Sequence, residues 1–495
     1  HVMPTPVADD LSRRLLSLPL SARMTAADAA RVIAALDRAV ARPRLVATTP
    51  RRDPIAETLL IGGGPAGTAM LTAASRNGLL PALAQGLVVV EAGPALGAGR
   101  LGGYPITSDT TADTFLTALR GNPHPEIAAL ADHPAARRIE QFRDRLGVPL
   151  HEAGPLLDVM GDRLAGLVVA NGGAVLIGTQ AIATRRGEDG LWRTRLRCVA
   201  TGAESERLSR SVVIATGGRQ SLDRIVAARV AGAPLATLAD GRLVRSDAVL
   251  RLGGAAMVSD LLAERRAPRV AVIGGSTSAI ASITTLLKTA LPFGAGAITL
   301  LHREPLLPFY PSIEAARADG YDGAGPDDIC PVSGFVHRLG GLRLESRELV
   351  LRMLGIGGRA PDPRVATHHI AGDDDAAARA IISDADLVVA ALGYRPVALP
   401  VERADGTPRL LAADRGRAMV DRHCRVLDAD GAIVPGLYGI GLAAGFVPWG
   451  KLGGEASFRG QANGLWLWQN DVGMMIVEQL LAAREARDEP GVAIG

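Results

Sequence analysis

Aromatic residues make up only 3% of this 495-residue chain, and Lys288 and Lys451 are its only lysines. The cations are otherwise arginine, a bias that reads as genomic base composition rather than function. The three cysteines, Cys198, Cys330 and Cys424, are far apart and never form C-x-x-C. That spacing speaks against a disulfide framework, a zinc site and a redox disulfide, and it fits a reducing compartment, hence a cytoplasmic protein with buried, inert thiols. The formal net charge of +3 is small for this length and gives no warrant for nucleic-acid binding. Residues 58–75 carry no charge over a transmembrane length, but four glycines and a proline interrupt them, so no membrane span is expected. The N-terminus lacks the basic-then-apolar pattern of a signal peptide. At this length two to three domains with ample core are expected.

The most informative stretch is Thr58 to Glu91. An apolar strand, Leu59 to Ile61, runs into Gly62-Gly63-Gly64-Pro65-Ala66-Gly67, with Gly62, Gly64 and Gly67 at G-x-G-x-x-G spacing. Gly62 suits a tight turn, Gly64 lets the backbone approach a pyrophosphate, and Gly67 lets helix and strand pack closely. The helix N-terminus that follows offers free N–H groups to phosphate. A second strand, Leu87 to Val90, ends in Glu91, whose carboxylate can accept hydrogen bonds from a ribose. The group predicts a dinucleotide site. A second such unit begins at Arg269, with strand Val270 to Ile273, turn Gly274-Gly275-Ser276-Thr277-Ser278-Ala279, a helix over Ile280 to Leu287 and a strand Ile298 to Leu301. That strand ends in His302-Arg303, and a cation there suits the 2′-phosphate of NADP where an acid would suit a 2′-hydroxyl. Ser276 replaces the middle glycine and is still small enough for phosphate approach.

Elsewhere, residues 1–54 read as a helical extension, starting near Thr25 and lined by Val32, Ile33, Leu36 and Val40. It can pack on the body or on a partner subunit, which leaves a homo-oligomer open. Residues 113–147 read as helices, Gly166 to Val169 and Ala174 to Ile177 as strands, and Trp192 and Leu196 as one face of a hairpin around Gly190. Pro308 to Pro311 reads as a turn. His368-His369 suggests metal at first sight, but adjacent residues rarely share a ligand, and no metal is expected. Ser211 to Gly218 and Asp386 to Tyr394 are strands entering small-residue turns, at Ala215-Thr216-Gly217 and Ala391-Leu392-Gly393. A last strand enters the turn at Gly441-Leu442. Five aromatic residues crowd into 446–468: Phe446, Trp449, Phe458, Trp466 and Trp468. They suit either a wall for a flat ring or substrate, or the packing of a C-terminal helix.

Two dinucleotide units, with strands ending in Ala215-Thr216-Gly217 and Ala391-Leu392-Gly393-Tyr394, resemble the two-dinucleotide-binding-domain flavoproteins. Over roughly 55–484 the chain looks most like the class B flavoprotein monooxygenases, nearest the N-hydroxylating branch. Asp386, Ala391, Gly393 and Tyr394 match that branch's D-x-x-x-(L/F)-A-T-G-Y pattern, while Ala390 and Leu392 depart from it. The F-x-G-x-x-x-H-x-x-x-W/Y type signature of Baeyer–Villiger enzymes is absent, and Gly441-Leu442 stands where many relatives have Gly-Asp.

The resemblance implies an α/β fold with two Rossmann-like domains, the NADPH domain inserted in the FAD domain. The expected segments are 55–265 and 394–495 for FAD and 266–393 for NADPH. FAD is expected at Gly62, Gly64, Pro65, Ala66, Gly67, Glu91, Ala215, Thr216, Gly217, Gly441 and Leu442. NADPH is expected at Gly274, Ser276, Thr277, Ser278 and Arg303. The activity implied is oxygenation of a small-molecule amine, sulfur or carbonyl by a flavin C4a-(hydro)peroxide, in specialised metabolism, with molecular oxygen as co-substrate. Lys451, Asp109 and Gln461, with Ser108, are candidates to tune that chemistry. A flavoprotein reductase passing electrons to a quinone or protein, or a non-catalytic flavoprotein, is compatible with the same motifs.

Overall fold

The computed structural model describes residues 55–397, 399–462 and 464–488. The expected helix at Val32–Val40 lies outside them. Among the described residues no helix is long and apolar enough to cross a membrane.

Runs of β-branched and aliphatic residues bounded by glycine turns form two sheets whose central parallel strands are buried on both faces. The first sheet has nine strands. β1 (Ala56–Ile61) lies parallel to β2 (Leu87–Glu91), and β2 to β3 (Ala174–Ile177). β4 (Thr179–Arg186), β5 (Trp192–Cys198) and β6 (Glu204–Ile214) form an antiparallel meander. β6 is long enough to serve two partners. Its first part pairs with β5, and its last residues run parallel to β1, with Ile214 beside Ile61. The sequence thereby grafts a meander onto a dinucleotide-binding sheet. Helix α1 (Pro65–Arg76) packs on that sheet through a face that includes Met70 and Leu71.

The second sheet has five strands in parallel. β7 (Leu243–Arg245) precedes helix α2 (Ser246–Leu250). Then come β8 (Val270–Ile273), helix α3 (Thr277–Leu287), β9 (Ile298–His302), β10 (Val365–His369) and β11 (Leu387–Ala390). Their order in space is β7–β11–β8–β9–β10. Alternation along β8 makes two core layers, because successive side chains point to opposite faces. Val270 and Val272 pack with Ile280 and Ile283 on one face, while Ala271 and Ile273 pack with Ala378 and Ile382 on the other. β7 already belongs to this sheet, ahead of the expected start at 266.

The chain leaves the first sheet after β6, returns to its edge at Val401–Glu402 beside β4, and then reaches β12 (Ile433–Gly439), which lies beside β6. The second sheet is thus inserted in the first. Outbound and return segments touch in a short antiparallel ribbon, Gly218–Arg219 against Arg395–Pro396. Thr216 Oγ1 donates to the Val397 carbonyl at 2.6 Å across the same crossing.

Two local expectations are corrected. Gly166 to Val169 is the end of a 21-residue helix, Leu150–Ala170, and not a strand. Its buried Leu156, Leu157, Met160, Leu164, Leu167 and Val168 recur at helical spacing, which a four-residue apolar run hides. Pro308 to Pro311 is extended, because Tyr310 exchanges backbone hydrogen bonds with Val336. The cysteines are free, with Cys330 and Cys424 buried and Cys198 partly exposed. At buried Cys330 burial alone would raise the thiol, but hydrogen bonds from Ser333, the Gly454 N–H and Arg338 hold it down at about 6.

Candidate active site

The first turn is built by exclusion. Gly62 has φ +106°, and a side chain there would strike the Ala215 carbonyl. A side chain at Gly67 would strike the Gly62 carbonyl, so only glycine lets α1 leave β1 so closely. Gly64 is different. A Cβ there would find its nearest heavy atom, Gly99 Cα, at 4.0 Å, so the backbone at the head of α1 is open on that side. No side chain caps this helix start, and Pro65 contributes no N–H. The space and the free N–H groups suit a pyrophosphate.

Glu91 sits over the turn. Its Oε2 accepts from the Gly63 N–H and its Oε1 from the Gly93 N–H, both at 2.6 Å. The carboxylate fixes the two loops and keeps lone pairs for a ribose hydroxyl. The loop after Glu91 is pinned back by Gly97 N–H to the Gly63 carbonyl at 2.8 Å. Gly441 closes the turn from the other side, against Ala66. Ala215, Thr216, Gly217 and Leu442 surround the crossing between the sheets, where Leu442 meets Gly218.

The second turn is more open. Ser276 and Thr277 are exposed, Ser278 is half-buried, and no side chain caps α3. α3 begins at Thr277, three residues before the expected Ile280. Arg303 is exposed at the end of β9, and its Nη2 donates to the Arg229 carbonyl at 2.9 Å. His302 and His369 stand edge-to-face beside it. His369 bonds the Arg303 carbonyl, and His368 bonds Asp375 at 2.8 Å. The histidine pair thus braces the sheet edge.

A cavity of about 1260 Å³ lies between the two halves. On the second-sheet side it meets one face of α3, with Thr277, Ala281, Thr284, Thr285 and Lys288 at helical spacing. On the other side are the loop from Pro105 to Thr110 and the segment from Pro448 to Asp471. Asp109, Ser108, Lys451 and Gln461, far apart in sequence, therefore share one cavity with Thr277, whereas Glu91, Ser276 and Arg303 lie outside its lining. Of the five crowded aromatics, Trp466 lines the cavity. Phe446 and Trp468 are buried in the core, and Trp449 donates its indole N–H to the Arg422 carbonyl at 2.9 Å.

The loop from Arg338 to Arg343, which no motif marks, forms a third wall. Buried Glu455 accepts from the N–H groups of Leu339 and Gly340 at 2.8–3.0 Å and so holds the loop in shape. Arg338 Nη1 donates to the Leu452 carbonyl at 2.7 Å, which sets its guanidinium beside the turn that carries Lys451. A side chain at Gly453 would occupy the place of that guanidinium. Arg343 stacks 3.7 Å above the Phe309 ring and lies 3.8 Å from Asp109. An acid near the end of a polar loop, a glycine pair and a buried glutamate are too common for sequence alone to join.

A buried polar clasp ties the halves together. Asp247, at the start of α2, accepts hydrogen bonds from Tyr394 at 2.8 Å and from Tyr104, and pairs with Arg251 at 3.1 Å. Burial opposes ionisation of Asp247, but the two phenol donors and Arg251 outweigh it and lower its pKa. Burial, together with this carboxylate, pushes both tyrosines upward. Leu252 N–H donates to the Gly103 carbonyl at 2.9 Å in the same junction. The matched Asp386 has a separate role: it accepts from the Arg269 N–H at 2.9 Å and pairs with Arg265, fixing the start of the second sheet.

The chain matches none of the protein-family profiles with which it was compared. It is 32% identical over 448 residues to the CMP-5′-(3-aminopropyl)phosphonate hydroxylase of Streptomyces rubellomurinus (strain ATCC 31215), covering 87% of this chain and 98% of that one. Among solved structures it resembles the ornithine N-hydroxylase of Kutzneria sp. 744, with TM-score 0.53, 16% identity, and 87% and 100% of the two chains covered. It also resembles the cadaverine monooxygenase DfoA of Erwinia amylovora, bound to FAD, with TM-score 0.52, 13% identity, and 90% and 98% covered. At these identities the solved structures speak for the fold alone.

Proposed function

The chain belongs to the class B flavoprotein monooxygenases of the N-hydroxylating branch, the family of the Streptomyces hydroxylase, and on that premise we propose that it N-hydroxylates the primary amine of a nucleotide-linked phosphonate. The observation that carries the finer reading is identity spread over nearly the whole of that hydroxylase, together with a cavity lined by Arg338, Arg343, Lys288 and Lys451. Cations suit a substrate rich in phosphoryl oxygens better than they suit a simple diamine. The volume suits a substrate the size of a nucleotide conjugate.

FAD fits the first turn, where the uncapped head of α1 and the open side of Gly64 receive the pyrophosphate and Glu91 receives a ribose. NADPH fits the second turn, with Ser276, Thr277 and Ser278 at the phosphates and Arg303 at the 2′-phosphate. FAD and NADPH together supply reducing equivalents and oxygen activation, chemistry that side chains lack. The protein's part is to bind, orient and shield. The clasp of Tyr104, Tyr394 and Asp247 holds the halves in register. Lys451 and Gln461 border the cavity from the C-terminal segment and Asp109 from the loop after β2, where they orient polar substrate groups. Family membership favours this reading over the reductase alternative.

Incubating the FAD-loaded protein with NADPH, air and CMP-5′-(3-aminopropyl)phosphonate is expected to give a product heavier by one oxygen, carried on the amine nitrogen. NADPH oxidation that yields only hydrogen peroxide with this compound, alongside hydroxylation of a free diamine or amino acid, would refute the nucleotide-linked reading.

A further inference from the structure

The last helical stretch of the described chain is continuous from Leu465 to Asp488, but it changes pitch. Residues Trp468–Val472 form a turn of π-helix. Such turns insert an extra residue, cost regular hydrogen bonding and occur often at functional sites. Trp468 and Val472 of this turn are buried against the core, and Asp471 faces the cavity.

Asp471 is unusual for a helical acid. It lies inside the continuous helix, beyond the first turn, where capping and dipole effects fade. Its carboxylate makes no hydrogen bond or ion pair among the described residues. Burial pushes its pKa up, against the opposing pull of Lys451 and Arg338. Both cations are near enough to act on it electrostatically, yet neither pairs with it. The cavity thus presents one partly desolvated acid, open to a ligand, and two cations held on adjoining turns by the bond from Arg338 to the Leu452 carbonyl.

We infer that Asp471 receives the terminal ammonium group of the substrate, while Lys451 and Arg338 receive its phosphonate or phosphate oxygens. The inference rests on the nucleotide-linked aminophosphonate reading above and names the groups that select such a substrate. An alkylamine arrives protonated at neutral pH, and a nitrogen that is to take up oxygen needs its lone pair. Asp471 is placed to take that proton: the N–H bond breaks, its electron pair stays on nitrogen, and an O–H bond forms on the carboxylate. An acid with a raised pKa is the better acceptor.

The test compares binding of CMP-5′-(3-aminopropyl)phosphonate with its deamino counterpart, CMP-5′-propylphosphonate, to the oxidised FAD-loaded enzyme by calorimetry. The wild type is expected to prefer the amine by ~30-fold, the worth of one charge-assisted hydrogen bond. Asp471→Asn, with Asp471→Ser as a second variant, is expected to bring the ratio within about threefold, through loss of the amine's affinity alone. Lys451→Ala is expected to weaken both ligands alike and leave the ratio standing. A wild-type preference that survives both Asp471 variants overturns the assignment while the nucleotide-linked reading stands. A wild type that binds neither compound overturns the reading and this assignment together.

Discussion

The two dinucleotide turns use one local design to different ends. In the first, Gly62 and Gly67 are both forced by nearby carbonyls, Glu91 is tied to two backbone amides, and the next loop is pinned across the top. In the second, buried Ala279 stands where Gly67 stands, Ser276 and Thr277 are exposed, and the strand ends in an exposed cation with one backbone partner. A closely braced turn suits a cofactor that stays; an open turn with an exposed cation suits one that comes and goes. The difference is one of accessibility and charge, set by a few residues on closely similar backbones.

The largest effect is expected from Gly67→Ala. Its methyl would meet the Gly62 carbonyl, and an overpacking cost of ~3 kcal/mol, about 100-fold in affinity, is expected. The protein should be isolated nearly free of flavin, as read by absorbance. Retention of stoichiometric flavin would show that the first turn is not closely fitted. Next, Arg303→Ala should raise KM for NADPH by ~10–100-fold and leave KM for NADH and the flavin content nearly unchanged. Equal losses for both nicotinamides would remove the 2′-phosphate role.

A smaller effect belongs to the clasp between the halves. Asp247→Asn should cost about 2 kcal/mol in denaturant unfolding of the FAD-loaded protein. It should also change the acid limb. The pKa of Asp247 is lowered in the folded protein, so its stabilisation is complete above the unfolded value of about 4 and is lost as pH falls through the folded value. The variant should therefore lose less stability than the wild type as pH falls below about 4. The smallest effect is expected from Ala279→Gly, about 1 kcal/mol of helix stability with NADPH kinetics little changed. A large kinetic change there would mean that the second turn is as closely fitted as the first.

Much of this architecture was legible in the sequence. Both turns, their strands and the charge reversal from Glu91 to Arg303 depend on residues within a few tens of positions, so spacing alone exposed them. The resemblance placed the inserted order of the two sheets. The helix at Leu150–Ala170 was missed as a whole: it begins beyond the helices expected over 113–147, and Gly166 to Val169, taken alone, also fits a short strand. The third wall was missed because it depends on contacts across more than a hundred residues, such as Glu455 with Leu339 and Arg338 with Leu452. Asp471 carries no motif that would single it out in the sequence. An isolated acid among Trp466, Trp468, Val472 and Ile476 was a signal present in the pattern, but the π-helical turn that aims it at the cavity was not.

We propose that the closed turn holds FAD and the open turn NADPH, so that an atom of molecular oxygen reaches a substrate amine. Turnover of CMP-5′-(3-aminopropyl)phosphonate under isotopically labelled oxygen gas tests this directly, with product analysis by mass spectrometry. The expected result is NADPH-dependent label on nitrogen, in near-stoichiometric yield with NADPH oxidised. Unlabelled substrate, with anaerobic NADPH oxidation sustained by an added quinone, would contradict it.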